Sequence, residues 1–270
     1  YSRQYSQFFL LKLFMTDKIT FKKAISENRI NFFEKPFEIN DSFYVLDLVQ
    51  LKKDIYELKS SFSHNTRIAY SYKTNYLKPI IKYVDSQGIY SEVVSPFEVE
   101  ITKSYKINPK KIIYNGPVKD YSSISYVLRN GGIVNADSID DLNLILTTTK
   151  DYKFKTPPQI GIRFSFTEKT LSSRFGIEYT KENLEKIFKS FKIYGLDSPK
   201  CLHIHFPERT LDAFKERVKK ICNVFSQLKN LYSLKNTSID IGGGLPSRIS
   251  SVTSRSLGIK KFPNLNVYGK

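Results

Sequence analysis

The chain has 270 residues, 40% of them hydrophobic and 14% aromatic, which is enough to fill a real globular core. Lys and Arg outnumber Asp and Glu by 43 to 26, for a net charge of +17, but the lysines are spread over every predicted helix with acidic residues between them. Without a dense basic tail or an aromatic nucleic-acid motif, this charge reads as a solvated surface and excludes nucleic acid as the expected partner.

In chain order, the first feature is the apolar run from Phe8 to Phe14, broken by Lys12 and too short for a membrane span or a signal-peptide core. Met15, the sole methionine, opens a stretch that reads as a true start. Residues 1–14 are therefore expected to be translated upstream sequence that packs loosely, and residues 1–42 an N-terminal extension ahead of one domain over residues 43–270. From there, short β-branched runs alternate with amphipathic stretches. Strands are predicted from Arg67 (RIAYSYK), Ile89 (IYSEVVS), Lys111 (KIIYNG), Gly132 (GIVNAD), Gln159 (QIGIRFS), Cys201 (CLHIHF), Ser238 (SIDIGG) and Leu265 (LNVYG).

Helix signals lie between them. Ser95 can cap a helix that has Pro96 at its first position and Glu98 at the spacing from which a carboxylate folds back on a free amide. Ser138 with Asp141 repeats the pattern, and the segments Lys181 to Lys192 and Leu211 to Leu228 carry apolar residues at helical spacing. Strict alternation of strand and helix implies a parallel sheet. Eight such units over roughly 200 residues fit a closed (β/α)8 TIM barrel, with an open doubly wound sheet as the alternative. The two cysteines, Cys201 and Cys222, have neither the number nor the spacing of a disulfide framework or zinc site, which points to a reducing, cytoplasmic setting.

In a barrel of this kind the chemistry sits where strands finish. Lys73 closes the first predicted strand inside an apolar and aromatic run, where its ammonium would have to be desolvated, freeing an amine to attack an aldehyde. The seventh strand ends in Gly242, Gly243 and Gly244, which let backbone approach a ligand closely and offer amides to an anion. His203 and His205 share one strand face. No third ligand at metal spacing joins them, so one reads as a ring stacked on a flat cofactor and the other as a core histidine. Arg163 lies within a strand and needs an anionic or oxygen partner if buried. Glu92 and Glu98 flank VVSPF, and Glu98 is kept as a capping residue.

Taken together, FYVLDL at Phe43, AYSYKTN around Lys73, SEVVSPFE, IIYNGPVK, VNADSIDDL, IRFS, SSRFGI, LHIHF and DIGGG resemble, in order, the motifs of the fold type III pyridoxal-phosphate enzymes, the ornithine and diaminopimelate decarboxylase family. The resemblance implies an alanine-racemase-like barrel that binds pyridoxal 5′-phosphate and decarboxylates an amino acid. By position, Lys73 would hold the cofactor as a Schiff base, Arg163 would contact its phenolic oxygen, His205 would stack on its ring, and Gly243 and Gly244 would bind its phosphate. An amino-acid racemase and a cofactor-binding barrel without turnover are the alternatives.

Two departures stand out. Family members follow the histidine with Gly-Ser, whose serine assists phosphate binding, whereas here Phe206 is followed by Pro207 and Glu208. The family's Glu-Pro-Gly-Arg motif would come directly after Gly269. The expectation is therefore a fragment lacking the C-terminal β domain, inactive alone and homodimeric when full length. Diaminopimelate, ornithine, lysine, arginine and carboxylated polyamines all stay open as substrates.

Overall fold

The computed structural model describes residues 8–11, 30–32, 44–151, 154, 156–166, 173–206, 208, 210–244 and 265–269. By internal contacts it divides into one unit of residues 1–63 with 264–270 and a second of residues 64–263.

In the first unit, β1 (Phe8–Leu11) runs antiparallel to β2 (Ile30–Phe32) on one edge and parallel to β3 (Tyr44–Asp47) on the other. The expectation of a loosely packed N-terminal segment is corrected for these four residues, because a ladder on both edges satisfies backbone groups that a loose segment would leave to water. The chain then enters α1 (Leu48–Ser61), whose first turn is capped by the Asp47 carboxylate accepting from the amides of Val49 and Gln50, both at 2.9 Å.

The predicted strand LNVYG is also corrected. Leu265–Val267 is a 3-10 turn closed by the Tyr268 amide donating to the Leu265 carbonyl at 2.9 Å. Ser61 Oγ donates to Asn266 Oδ1 at 2.8 Å, and a side chain at Gly269 would collide with the Ser61 carbonyl. A short apolar alternation is compatible with strand or turn, and this run finds local partners instead of a ladder.

The second unit carries β4 (Ala69–Ser71), β5 (Tyr90–Val93), β6 (Ile112–Tyr114), β7 (Ile133–Ala136), β8 (Gln159–Ser165), β9 (Ile177–Glu178), β10 (Cys201–Ile204) and β11 (Ser238–Asp240). All but β9 form one parallel series in the order β4-β5-β6-β7-β8-β10-β11, while β9 pairs with β8. The order never reverses, which excludes the doubly wound alternative with its switch point. The strands form a curled arc of the barrel, and among the described residues no ladder joins β11 to β4. On its inner and helix-facing sides lie Val93, Ile112, Val134, Ile162 and Leu202, all completely buried.

Between the strands run α2 (Lys78–Ser86), α3 (Pro96–Ser104), α4 (Tyr121–Arg129), α5 (Ile139–Lys150), α6 (Lys181–Ile193) and α7 (Leu211–Tyr232). Caps fix their starts: Ser95, Asp120, Ser138, Thr180 and Thr210 each accept the amide three residues on. Glu98 folds back as its spacing predicts, although its Oε2 accepts from the Val94 amide at 2.8 Å rather than from Ser95 itself. Ser138→Ala, which removes the acceptor for the Asp141 amide at 3.0 Å, should cost about 1 kcal/mol, read as a lower urea midpoint at unchanged slope.

Candidate functional site

The predicted residues lie within the strands or just beyond their ends, each placed by a different local device. Arg163 and His203 are in register on neighbouring strands β8 and β10, and His203 is in register with Asp240 on β11. All three face the same side. Arg163 is buried and its Nη1 donates to Asp137 Oδ1 at 2.8 Å, the partner its burial demanded. That aspartate directly follows β7, at the end of the VNAD run. Arg163 Nε finds no acceptor among the described residues, and its guanidinium lies 5.2 Å from the centre of the Phe175 ring, within SSRFGI.

His203 is the core histidine of the pair. It is 4% exposed, and its Nδ1 lies 3.0 Å from Asp240 Oδ2. Burial would raise the Asp240 carboxyl, but His203, the Gly242 amide at 2.8 Å and Asn115 hold it down at about 2. His205 lies just beyond the end of β10. Burial, together with the charges of Lys73, His203, Arg163 and Arg217, pushes its imidazole down to about 3, so the ring is neutral at pH 7. A neutral, partly buried ring is suited to stacking on a planar group.

Gly242 is what lets the loop after β11 come this close. Its φ is +67°, and a Cβ there would sit 2.7 Å from the Ile204 carbonyl oxygen and 2.8 Å from His205 Nδ1. Gly244 also has positive φ, at 90°, and Gly243 faces open space. The Gly242 amide is held by Asp240, which leaves the amides of Gly243 and Gly244 without an acceptor among the described residues.

Lys73 departs from its expected environment. β4 ends at Ser71, the chain turns at Tyr72–Thr74, and Tyr72 takes the buried place at 1% exposure while the Lys73 side chain is 49% exposed. The apolar run supplies the neighbour of the lysine, not a desolvated pocket around it. Its Nζ is 4.0 Å from Glu92 Oε1. Behind Glu92 is a polar relay that sequence reasoning missed. Asn115 Nδ2 donates to Glu92 Oε1 at 3.2 Å, and Asn135 Nδ2 donates to Asn115 Oδ1 at 2.7 Å. Both asparagines are buried inside the strand arc. Their signal was a polar residue inside IIYNG and GIVNAD, where a core strand should be apolar.

A second missed pair is Lys119 Nζ with Asp141 Oδ2 at 2.6 Å, which ties the loop after β6 to the start of α5. Among the described residues no three His, Cys, Asp or Glu converge as a metal site, and no helix is long and apolar enough to cross a membrane. Cys201 is buried, its thiol pushed up to about 12 by burial, and Cys222 is exposed.

The arrangement thus has an accessible amine beside a carboxylate, a neutral imidazole, a buried guanidinium with an unused N–H, and a glycine turn with unused amides. Those groups fit an aldehyde-bearing aromatic phosphate. Residues 48–261 match the family model of the pyridoxal-dependent decarboxylases, pyridoxal-binding domain. The chain is 24% identical to ornithine decarboxylase of Saccharomyces cerevisiae over 211 residues, 76% of this chain and 43% of that protein. It is 25% identical to diaminopimelate decarboxylase of Methanocaldococcus jannaschii over 189 residues, 66% of this chain and 43% of that protein. The solved structure of Helicobacter pylori diaminopimelate decarboxylase complexed with L-lysine has a TM-score of 0.70 at 20% identity, covering 86% of this chain and 59% of that one, a likeness of fold. The chain spans less than half the length of these two curated relatives.

Proposed function

Because the chain belongs to the pyridoxal-dependent decarboxylases through their pyridoxal-binding domain, we propose that its strand-end site binds pyridoxal 5′-phosphate and serves amino-acid decarboxylation in the whole protein. The carrying observation is that Arg163 and His203 are in register on β8 and β10, with Gly242 packed against His205 just beyond the end of β10. The cofactor, when bound, supplies the electron sink for the pair left when carbon dioxide departs.

Each residue then has one task. Lys73 would hold the cofactor through its amine, with Glu92 at 4.0 Å positioning that amine. Arg163, fixed by Asp137, would offer its unused Nε–H to the cofactor's phenolic oxygen. His205 would cover one face of the cofactor ring without adding charge. Gly243 and Gly244 would hold the phosphate through their amides, with Gly242 shaping the turn. The reading extends to a homodimeric, cytoplasmic enzyme with a small amino acid as substrate.

Borohydride reduction after adding pyridoxal 5′-phosphate should leave one stable label on Lys73, and Lys73→Ala should remove it. Equal labelling of the scattered surface lysines would overturn the assignment. Carbon dioxide release from ornithine and diaminopimelate, with Lys73→Ala as background, separates turnover from binding without turnover. The second outcome has its own support in Pro207-Glu208, which replaces the family's Gly-Ser.

A further inference from the structure

Lys119 and Asp141 form an ion pair that no step of the proposed reaction uses. The Lys119 side chain is 0% exposed and that of Asp141 6%, with Nζ 2.6 Å from Oδ2. Burial disfavours both charges, pushing the ammonium down and the carboxyl up. A pair buried this completely is a weak source of stability, since well-packed apolar residues of similar volume do as well.

Its contacts lead into the site. Asp141 Oδ2 also accepts from the backbone amide of Asp137 at 2.9 Å, and Asp137 Oδ1 in turn accepts from Arg163 Nη1 at 2.8 Å. On its other side the ammonium donates to the Gly116 carbonyl. Gly116 has a φ of +99°, and a Cβ there would fall 2.2 Å from the Val94 carbonyl oxygen, so the loop that carries the lysine is pressed against the end of β5. The loops after β5, β6 and β7 are thereby joined by direct contacts that end on Arg163.

A helix cap alone does not call for this lysine. At α3, Glu98 makes the same four-residue reach to the Val94 amide at 2.8 Å, and among the described residues no lysine is bonded to it. The difference lies in what each amide carries. Val94 offers the site no polar side chain, whereas Asp137 holds the guanidinium of Arg163. The unused Nε–H of Arg163 is aimed only by the contacts of the rest of that group, which are Asp137 and the Phe175 ring at 5.2 Å. A carboxylate tied to an anchored lysine cannot turn, so the amide it accepts from, and the aspartate side chain beyond it, keep one place.

We propose that Lys119 and Asp141 are positioning residues: the buried pair sets Asp137 and, through it, aims the Arg163 guanidinium. That Arg163 meets the cofactor's phenolic oxygen rests on the proposed function; that the pair sets its position does not.

Two measurements on the full chain test this. Phenylglyoxal, which modifies guanidinium groups, is mapped by mass spectrometry at Arg163 and at Arg217, a second buried arginine that reports general loosening. The double variant Lys119→Met with Asp141→Asn removes both charges and keeps an oxygen for the Asp137 amide. Arg163 should react severalfold faster in it than in the wild type, and at least as fast in Asp137→Ala, while Arg217 stays slow in all three. Lys119→Gln, which keeps one donor to Asp141, should give an intermediate rate and serves if the double variant does not fold. Binding of pyridoxal 5′-phosphate to the double variant should weaken about 10-fold, the range of one charged hydrogen bond, while 3-deoxypyridoxal 5′-phosphate, which lacks the phenolic oxygen, binds variant and wild type equally.

An unchanged rate at Arg163 in the variants that fold overturns the proposal. A parallel rise at Arg163 and Arg217 also overturns it, because the pair would then hold the fold as a whole. Faster reaction at Arg163 alone, with no difference between the two pyridoxal compounds, sustains the positioning and refutes the task given to Arg163 in the cofactor reading.

Discussion

Gly161→Ala is expected to destabilise residues 64–263 by at least about 3 kcal/mol, more than most single substitutions. Gly161 lies in β8 between Asn135 of β7 and Cys201 of β10, with which it is in register. A Cβ there would fall 1.9 Å from Asn135 Oδ1, 2.7 Å from Cys201 Cβ and 2.8 Å from the Cys201 carbonyl oxygen. The side chain of Asn135 could rotate away, but only by breaking its bond to Asn115 at 2.7 Å, and the Cys201 carbonyl belongs to a strand backbone that cannot yield alone.

Urea unfolding should show a lower midpoint, and the double variant Gly161→Ala with Asn135→Ala should recover part of the loss but not all, since the backbone contact persists. Because Asn135 supports Asn115, and Asn115 supports Glu92, the single variant should also slow borohydride-fixed labelling of Lys73. A loss below about 1 kcal/mol would mean that the arc at β7, β8 and β10 is looser than the register indicates.

The second expected result is a loss of stability in mild acid caused by His205. Its folded-state value of about 3 lies below the ordinary 6.5, so between those two values the unfolded chain binds a proton that the folded chain refuses. Stability attached to this ring is therefore fully present above pH 6.5 and declines as the pH falls toward 3. At about 1.4 kcal/mol per pH unit the upper bound is about 5 kcal/mol, and screening at a ring that is not fully buried reduces it to roughly 2–3 kcal/mol.

Asp240 adds a further decline at lower pH. Its carboxyl is depressed to about 2 from 3.8, so its contribution is present above 3.8 and is lost as the pH falls through 2. Melting temperature measured from pH 7.5 to 4 should fall steeply in the wild type, and His205→Gln should flatten the part of the curve between pH 6.5 and 4. An unchanged slope in His205→Gln would assign the acid sensitivity to other groups.

Much of this molecule follows from sequence alone because its signals are local. The caps at Ser95 and Ser138 form as their spacing predicts, since the N-cap hydroxyl needs only the amide three residues on. Alternation of β-branched runs with amphipathic stretches was sufficient for the seven parallel strands and their order, because a short crossover leaves each strand little choice of neighbour. The family motifs around Lys73, Arg163, His205 and the three glycines could be read from sequence because each is a short contiguous run.

Partnership across strands was not legible. Nothing in the order of residues says that Arg163 takes Asp137, that Asp240 faces His203, or that Asn135 and Asn115 lead to Glu92, since these contacts depend on strand register. Exposure was misread for the same reason: the turn after Ser71 buries Tyr72 and leaves Lys73 at the rim. The run Leu265 to Gly269 alternates like a strand, yet a strand exists only where another offers its edge, and here a 3-10 turn bonded to Ser61 forms instead. Arg217 lies on an amphipathic helix, and only the packing of that helix on β10 and β11 buries its charge. Local chemistry determines elements and their order; solvent exclusion and register, which arise only when distant segments meet, decide which charges are paired and which are left to bind something else.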